Sequence, residues 1–445
     1  MLKSFSDLGI NKQLEQDLVN LKISIPTDIQ EQTIPVLLNE KEDMVVLAKT
    51  GTGKTAAFGL PLLQLIDLEN INIQSLILAP TRELAQQIYT NLVSFAGSSS
   101  KIAITSLCGG IPIKPQIEKL KATTHIAVAT PGRLVDLIKR EAIALNKIKY
   151  LVLDEADEMV SSLKKDLDFI IKDLPKSRRT LLFTATMPGT IKQLVQNYMS
   201  KHLTYIEADM KNIGHQGIDH QYVVVEPIEK LEVLLHFLST KEGERGVIFC
   251  KTKAAVNKLA KKLAINKFSS GAIHGSLAQT IRDRIMGQFR EGYIDILVAT
   301  DLAARGIDVK EISYVVNYHL PDTYDAYVHR SGRTARAGAK GLSLSIIQKE
   351  ELEESPEFEN ELGITINEFI KADVQSIEEN NGLLWAKKVF KTKPSREVSE
   401  EFKTKIKTIF HHLTKEELVE KILANYLSST NLANTKVASK NKHQK

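Results

Sequence analysis

The sequence predicts an α/β protein, with two parallel-sheet units in tandem and a small C-terminal α-helical extension. Three observations carry this expectation. Short runs rich in Val, Ile and Leu alternate with longer amphipathic stretches through about the first 350 residues, the pattern of parallel strands joined by crossover helices. The runs fall into two sets with a polar stretch between them. Gly-rich and polar segments follow the runs directly, and in open α/β sheets ligands bind beyond the carboxyl ends of the strands.

The first set comprises MVVLA (44–48), SLILA (75–79), HIAVA (125–129), YLVLD (150–154) and TLLFT (180–184), followed in turn by KTGTGKT, PTREL, TPGR, EAD and ATMP. The second set comprises GVIFC (246–250), SGAIH (270–274), IDILVA (294–299), YVVNY (314–318) and LSLSII (342–347). Here IDILVA leads into TDLAARGID, and YVVNY toward HRSGRTARAG. Between the sets, YIEADMKNIGHQGIDHQY has no sustained period and reads as a linker. The expected units are residues 1–208, a linker at 209–218, a second unit at 219–371, a helical extension at 372–427 and a basic disordered tail at 428–445. In the extension, Phe402, Ile406, Ile409, Phe410 and Leu413 share one helical face. Thr414 and Glu417 form a capping box that opens a second helix, so a helical hairpin is expected. Trp385 with Lys387, Lys388, Lys391 and Lys393 suits an RNA-binding surface; a helix buried by Trp385, Val389 and Phe390 with its lysines in water suits the same residues somewhat better.

With 445 residues, 43% hydrophobic and 25% charged, the chain is excluded from collagen-like, coiled-coil and globally disordered classes. No apolar run approaches the ~20 residues of a membrane helix, and Asp7 interrupts the start before a signal core forms, so no membrane partner and a cytoplasmic address are expected. Cys108 and Cys250 are too few and too far apart for a disulfide framework or a cysteine zinc site, and are expected as buried thiols. The net charge of +5 permits a polyanionic partner without requiring one.

AKTGTGKT (48–55) stands at a strand-to-helix turn. Thr50, Gly51, Thr52 and Gly53 turn backbone N–H groups onto a polyphosphate, Lys54 adds a point charge at the β/γ phosphates, and Thr55 offers its hydroxyl to Mg²⁺. Only the first glycine of the P-loop pattern is missing, replaced by Ala48. The run Leu151, Val152, Leu153 delivers Asp154 as outer ligand of Mg²⁺, and Glu155 beside it as the base for an attacking water. No Asn-Lys pair has the Asp that guanine recognition needs, which favours ATP; Gln30 carries the acceptor and donors that adenine requires.

The string Asp154-Glu155-Ala156-Asp157 and its companions resemble the DEAD-box RNA helicases of bacterial type, in the family's motif order over roughly residues 5–347. The resemblance implies two RecA-like domains that close over ATP and single-stranded or short duplex RNA. It implies that Phe5, Thr27 and Gln30 hold adenine, that Asp308 contacts ribose, and that Arg333 and Arg336 are arginine fingers, alongside Lys54, Asp154 and Glu155 in catalysis. Thr184, Ala185 and Thr186, with Asp157, His329 and Arg330, would couple the sites. RNA contacts would come from Pro80, Thr81 and Arg82, from Gly109 and Gly110, from Thr130, Pro131, Gly132 and Arg133, and from Thr252, Thr300 and Asp301. Small residues and hydroxyls suit phosphate and ribose oxygens rather than base edges, so sequence-blind binding is expected. For Thr252 and Gly110 a helix cap or tight turn explains the residue equally well, and Arg82 and Arg133 fit structural ion pairs equally well.

Lys22 and Ile23 replace the usual Gly-Phe of the first motif, Thr184 the usual Ser, and Ser331 and Ala335 residues often Ile and Gly. None removes a catalytic group. The expected activity is RNA-stimulated ATP hydrolysis coupled to local unwinding. An ATP-gated RNA clamp with little unwinding, and a DNA translocase on the same architecture, are the alternatives. The two apolar stripes of the hairpin favour a homodimer slightly over docking on the second domain.

Overall fold

A computed structural model describes residues 3–48, 51–97, 100–207, 217–304, 312–335, 339–354, 364–369, 385–386, 389 and 399–426. By contact the chain divides into two compact units, one of Met1–Glu226 with Gly243–Glu368 and one of Pro227–Glu242 with Phe369–Lys445. Both sheets belong to the first unit.

Strands β1 (Asp43–Leu47), β2 (Ser75–Leu78), β3 (Ile104–Leu107), β4 (Ile126–Ala129), β5 (Tyr150–Asp154), β6 (Arg179–Thr184) and β7 (Leu203–Glu207) form the first sheet, in the order β3-β4-β2-β5-β6-β1-β7. Strands β8 (Ile218–Val224), β9 (Arg245–Phe249), β10 (Ser270–Ile273), β11 (Ile296–Ala299), β12 (Ile312–Asn317), β13 (Gly341–Ile347) and β14 (Asn367–Glu368) form the second, in the order β10-β11-β9-β12-β13-β8-β14. Every pairing is parallel. Counted from its own first strand, the second sheet has the same order as the first. Two copies of one α/β plan, as expected, are therefore present.

Helices α1 (Lys12–Asn20), α2 (Asp28–Asn39), α3 (Lys54–Leu65), α4 (Arg82–Ala96), α5 (Lys114–Leu120), α6 (Pro131–Lys139), α7 (Ala156–Asp173) and α8 (Gly189–Tyr198) accompany the first sheet. Val46, Ile77, Val128, Val152 and Phe183 bury one face of it with Phe58 and Ile88; Val45, Leu76, Leu78, Leu151 and Leu182 bury the other with Leu134 and Met159. Helices on both faces are why these strands read as unbroken apolar runs rather than alternating ones. Helices α10 (Lys253–Ile265), α11 (Gln279–Arg290), α12 (Asp301–Ala304) and α13 (Tyr324–Ser331) follow strands of the second sheet, whereas α9 (Lys230–Ser239) lies in the second compact unit.

All ten expected runs are strands, and among the described residues four further strands, β3, β7, β8 and β14, escaped the sequence pattern. Three of these lie at sheet edges, where one side of the strand stays open and polar residues are tolerated. The fourth, β8, carries Asp219, His220 and Gln221, and only His220 and Val223 of it are buried. The polar stretch expected as a linker is thus partly sheet: its ends belong to β7 and β8.

In the second unit the Phe237 and Phe369 rings meet edge to face at 5.9 Å. Ser399 caps α14 (Glu400–Phe410), and a second helix, α15, runs over 415–426. The Thr414 N–H donates to Glu417 Oε2 at 2.8 Å and the Glu417 N–H to Thr414 Oγ1 at 3.2 Å, the expected capping box. Trp385, Ala386 and Val389 are helical, as expected; Trp385 is half-buried and stacks on Tyr426 at 4.6 Å and 20°, whereas Val389 is exposed. Phe390 and the four lysines grouped with Trp385 lie outside the described residues.

Candidate nucleotide and nucleic-acid site

Strand register gathers the nucleotide motifs. Leu47 of β1 pairs with Thr184 of β6, and Phe183 pairs with Asp154 of β5, so three loops leave the sheet side by side. In the turn after β1, Gly51 and Gly53 have φ of +84° and +94°, left-handed values that glycine adopts without strain. The Gly53 position also has no room for a side chain, since a Cβ would stand 2.3 Å from Gln30 Nε2.

That contact joins adenine candidates to the phosphate turn. Gln30 Nε2 donates to the Gly53 carbonyl at 3.1 Å, Gln30 Oε1 accepts from the Thr27 N–H at 3.0 Å, and the Thr27 hydroxyl donates to the Thr52 carbonyl at 2.8 Å. One amide hydrogen and one oxygen lone pair of Gln30 remain to meet a base. Phe5 is buried in the core beside Ile23 and lines a cavity with Lys12, Glu15, Gln16 and Val19.

Lys54 opens α3 and directs Nζ to 3.6 Å from Asp154 Oδ1. This buried ammonium has no hydrogen-bond partner among the described residues. Asp154 is buried as well, and desolvation pushes its carboxyl up against the opposing pull of Lys54. Two buried charges, each incompletely satisfied by the protein, suit an anionic polyphosphate and a divalent cation. Among the described residues no cluster of three or more His, Cys, Asp and Glu forms a metal cage, so a cation here would take ligands from Asp154, Thr55 and phosphate together. Glu155, buried at the N-cap of α7, has φ 51° and ψ 53°, a left-handed conformation costing about 1 kcal/mol or more in a residue with a side chain.

Motif-three residues lead from this site to the second sheet. The Thr184 hydroxyl donates to the Thr186 carbonyl at 2.8 Å, and the Thr186 hydroxyl to Asp157 Oδ2 at 3.2 Å. Ala185 is buried between them. His329 of α13 stands with Nε2 at 3.8 Å from Asp157 and Nδ1 at 2.9 Å from Glu158 Oε1. Burial alone would lower the imidazole pKa; the Glu158 hydrogen bond and the Asp157, Glu158 and Glu155 charges outweigh it and raise it. Desolvation raises Asp157 in turn, opposed by His329.

Arg330 is buried and fully engaged. Its Nε and Nη2 reach the two Asp301 oxygens at 2.5 and 2.8 Å, its Nη1 reaches Asn317 Oδ1 at 3.0 Å and the His319 carbonyl at 2.7 Å, and its plane lies 5.1 Å from the Phe249 ring centre. Asp301, expected at RNA, has its carboxylate directed to this arginine. Arg333 is buried and donates from Nε to the His329 carbonyl at 3.0 Å.

The expected RNA residues line strand ends, and several have structural partners. Thr81 caps α4 and Thr252 caps α10, accepting from the Leu84 and Ala255 N–H groups at 3.3 and 3.1 Å. Pro80 ends the loop before Thr81, and Pro131 opens α6 ahead of exposed Gly132. The Gly109 N–H donates to Thr130 Oγ1 at 3.3 Å, and Gly110 has φ +78°. Arg133 donates to Gln116 and to the Ile111 carbonyl at 2.8 and 2.7 Å. The Thr300 N–H reaches the Ile273 carbonyl at 3.4 Å. Thr50, Asp308 and Arg336 lie outside the described residues.

Sequence patterns missed the residues that meet Arg82 and its neighbour across the two sheets. Asp283 lies 3.6 Å from Arg82, Arg282 lies 2.9 Å from Glu83, and Gln279 donates to Glu83 at 3.4 Å. On an amphipathic helix such as α11 a polar face looks like a solvated one, and Glu158 was hidden likewise by its position just after Asp157.

Comparison with known proteins agrees with this geometry. Residues 27–194 match the DEAD/DEAH box helicase family, 229–338 the helicase conserved C-terminal domain, and 377–431 the helical domain of a probable ATP-dependent RNA helicase. The chain is 42% identical to the ATP-dependent RNA helicase CshA of Limosilactobacillus reuteri over 80% of its length and 71% of that protein's. It is 40% identical to the Listeria monocytogenes CshA, covering 79% of this chain and 67% of that one. Among solved structures it resembles S. cerevisiae Dbp5 bound to RNA and ADP BeF3 (TM-score 0.78, 31% identity, 86% of this chain and all of that one). It also resembles Mss116p bound to ssRNA and AMP-PNP (TM-score 0.76, 27% identity, 86% and 82%). With its P-loop, acid pair and twin RecA-like sheets, the chain belongs to the DEAD-box ATP-dependent RNA helicases.

Proposed function

We propose that the chain hydrolyses ATP when it holds RNA by the backbone, and that closure of its two RecA-like domains bends and separates a short duplex. One observation supports this most directly: the path Thr184, Thr186, Asp157, His329, which runs from the phosphate side of the first sheet to α13 of the second. Gln30 and Thr27 would read adenine, with Phe5 behind them; Lys54 and the glycine turn would hold phosphate; Thr55 and Asp154 would hold Mg²⁺, which neutralises phosphate charge. Glu155 takes the proton of the attacking water, and Arg333 and Arg336 face the γ-phosphate from the second domain, with Asp308 at the ribose. Thr81, Arg82, Gly109, Gly110, the 130–133 turn, Thr252, Thr300 and Asp301 line the RNA path, and with hydroxyls and backbone groups they make binding indifferent to sequence.

The domain limits belong to the same proposal: 1–208, a linker at 209–218, 219–371, the extension 372–427 and the tail. The extension pairs two copies of the chain, a step supported by the exposed Phe402, Ile406, Ile409, Phe410, Val419, Ile422 and Leu423 on its two helices. Sedimentation of the full chain against one ending near Asp373 tests the dimer; a monomer in both discards it. The activity is tested by strand displacement of a short duplex, with ATPase rates compared on RNA and DNA of equal length. Hydrolysis without displacement identifies a clamp, and equal stimulation by DNA removes the RNA preference.

A further inference from the structure

Between residues 245 and 282 the chain carries eight Lys and Arg and no Asp or Glu, although its whole net charge is only +5. The remainder is therefore net negative. Most of this charge lies on α10 and the turn after it, where Lys253, Lys258, Lys261 and Lys267 are exposed and Lys262 is half-exposed. The opposite face of α10 packs inward through Val256, Leu259 and Leu263, so its orientation is set by the core and the lysines share the outer side.

Some exposed cations at other helices are neutralised within a turn. Lys121 pairs with Glu118, Arg140 with Asp136, Lys403 with Glu400 and Lys405 with Glu401. On α10 none of the five lysines has an ion-pair partner among the described residues. Lys258 instead stands one turn from Lys261 and from Lys262, and like charges at those spacings each cost a few tenths of a kcal/mol. Helix stability alone gives no reason for such a stripe. A polyanion along it does, because neutralisation by an external chain of phosphates removes the repulsion.

Continuity with the RNA path identifies the polyanion. Thr252, placed above at the RNA backbone, is the N-cap of this same helix, so the stripe begins where the held strand passes and extends ~20 Å along α10. We propose that Lys253, Lys258 and Lys261, with Lys267 beyond them, form an accessory surface for the phosphodiester backbone of RNA outside the segment gripped by the motif loops. Contact is electrostatic and blind to sequence. It extends the bound length rather than serving catalysis, and it rests on the RNA-binding function proposed above.

The test uses the full chain with Lys253→Ser, Lys258→Ser and Lys261→Ser combined, and a second variant with Arg at the three positions. Three probes are compared by fluorescence anisotropy and ATPase stimulation: a strand of ~10 nucleotides that only fills the motif loops, a strand about three times longer, and the short strand with an adjoining duplex. Three lost phosphate contacts lower the log–log salt slope by about 2.1 on a single strand and about 2.7 on a duplex, so between 50 and 200 mM salt the wild type should lose affinity for the extended RNA ~20-fold or ~40-fold more, respectively, than the Ser variant. Loss confined to the longer strand assigns the surface to single-stranded RNA, and loss confined to the duplex probe assigns it to the flanking duplex. The Arg variant should restore the slope, and kcat on the short strand should be unchanged. Unaltered affinity and slope on both extended probes overturn the proposal, as does an equal loss on the short strand. If the short strand fails to stimulate wild-type hydrolysis, the RNA function itself has failed, a different outcome.

Discussion

His329 Nδ1 lies 2.9 Å from Glu158 Oε1, joining a helix of the second sheet to the residue just after the Asp-Glu-Ala-Asp string of the first. Both side chains are largely buried, and the imidazole pKa is raised because the Glu158 hydrogen bond and nearby carboxylates overcome the cost of burial. A group with a raised folded pKa contributes stability that is fully present below its unfolded value of ~6.5 and is lost as pH rises through the folded value. Glu158→Gln should therefore cost about 1.5–3 kcal/mol near pH 6 and progressively less above the raised His329 pKa. Urea unfolding of both proteins across that window measures the difference, and a difference independent of pH would contradict the protonated pair.

Glu155→Gln keeps the size and the hydrogen-bonding carbonyl of the side chain and removes its basicity. ATP binding should survive while hydrolysis falls by about 10²–10⁴-fold, and the variant should hold RNA longer. Single-turnover hydrolysis beside nucleotide affinity separates the two effects; wild-type turnover removes Glu155 as the base.

Arg333 stands just beyond the second sheet's helix α13, yet its proposed work is at the γ-phosphate. In the full chain Arg333→Ala should largely spare ATP affinity, which the first domain supplies, and depress RNA-stimulated turnover by ~10³-fold or more. A stimulated rate equal to wild type would mean that hydrolysis does not require the two-domain site.

Gly53→Ala tests the joint between Gln30 and the phosphate turn. The added Cβ meets Gln30 Nε2 at 2.3 Å in a backbone already at φ +94°. We expect the local strain to cost about 1–2 kcal/mol, read as a roughly tenfold weaker ATP affinity with RNA binding in the absence of ATP preserved. Equal ATP affinity in Gly53→Ala and wild type would show that the turn and Gln30 are not mechanically joined.

The motif order in the sequence was enough to establish the α/β class, the two repeated units and the motif loops that meet at the strand ends. Parallel strands buried on both faces leave continuous apolar runs, and a phosphate turn needs glycines, a Lys and a hydroxyl in fixed order, so both survive as linear patterns. The capping box of Thr414 and Glu417 was legible for the same reason: its partners are three residues apart. What required the tertiary structure are relations between distant residues. Edge strands β3, β7 and β14 have no strong local signature because a neighbouring strand on one side forms them. The pairing of Asp301 with Arg330, of Glu83 with Arg282 and of Glu158 with His329 depends on which helix faces which, and polar side chains carry no periodicity that names a partner. Local spacing records what a short segment must do by itself; only packing decides which of its charges meet another charge and which, like the lysines of α10, meet none among the described residues.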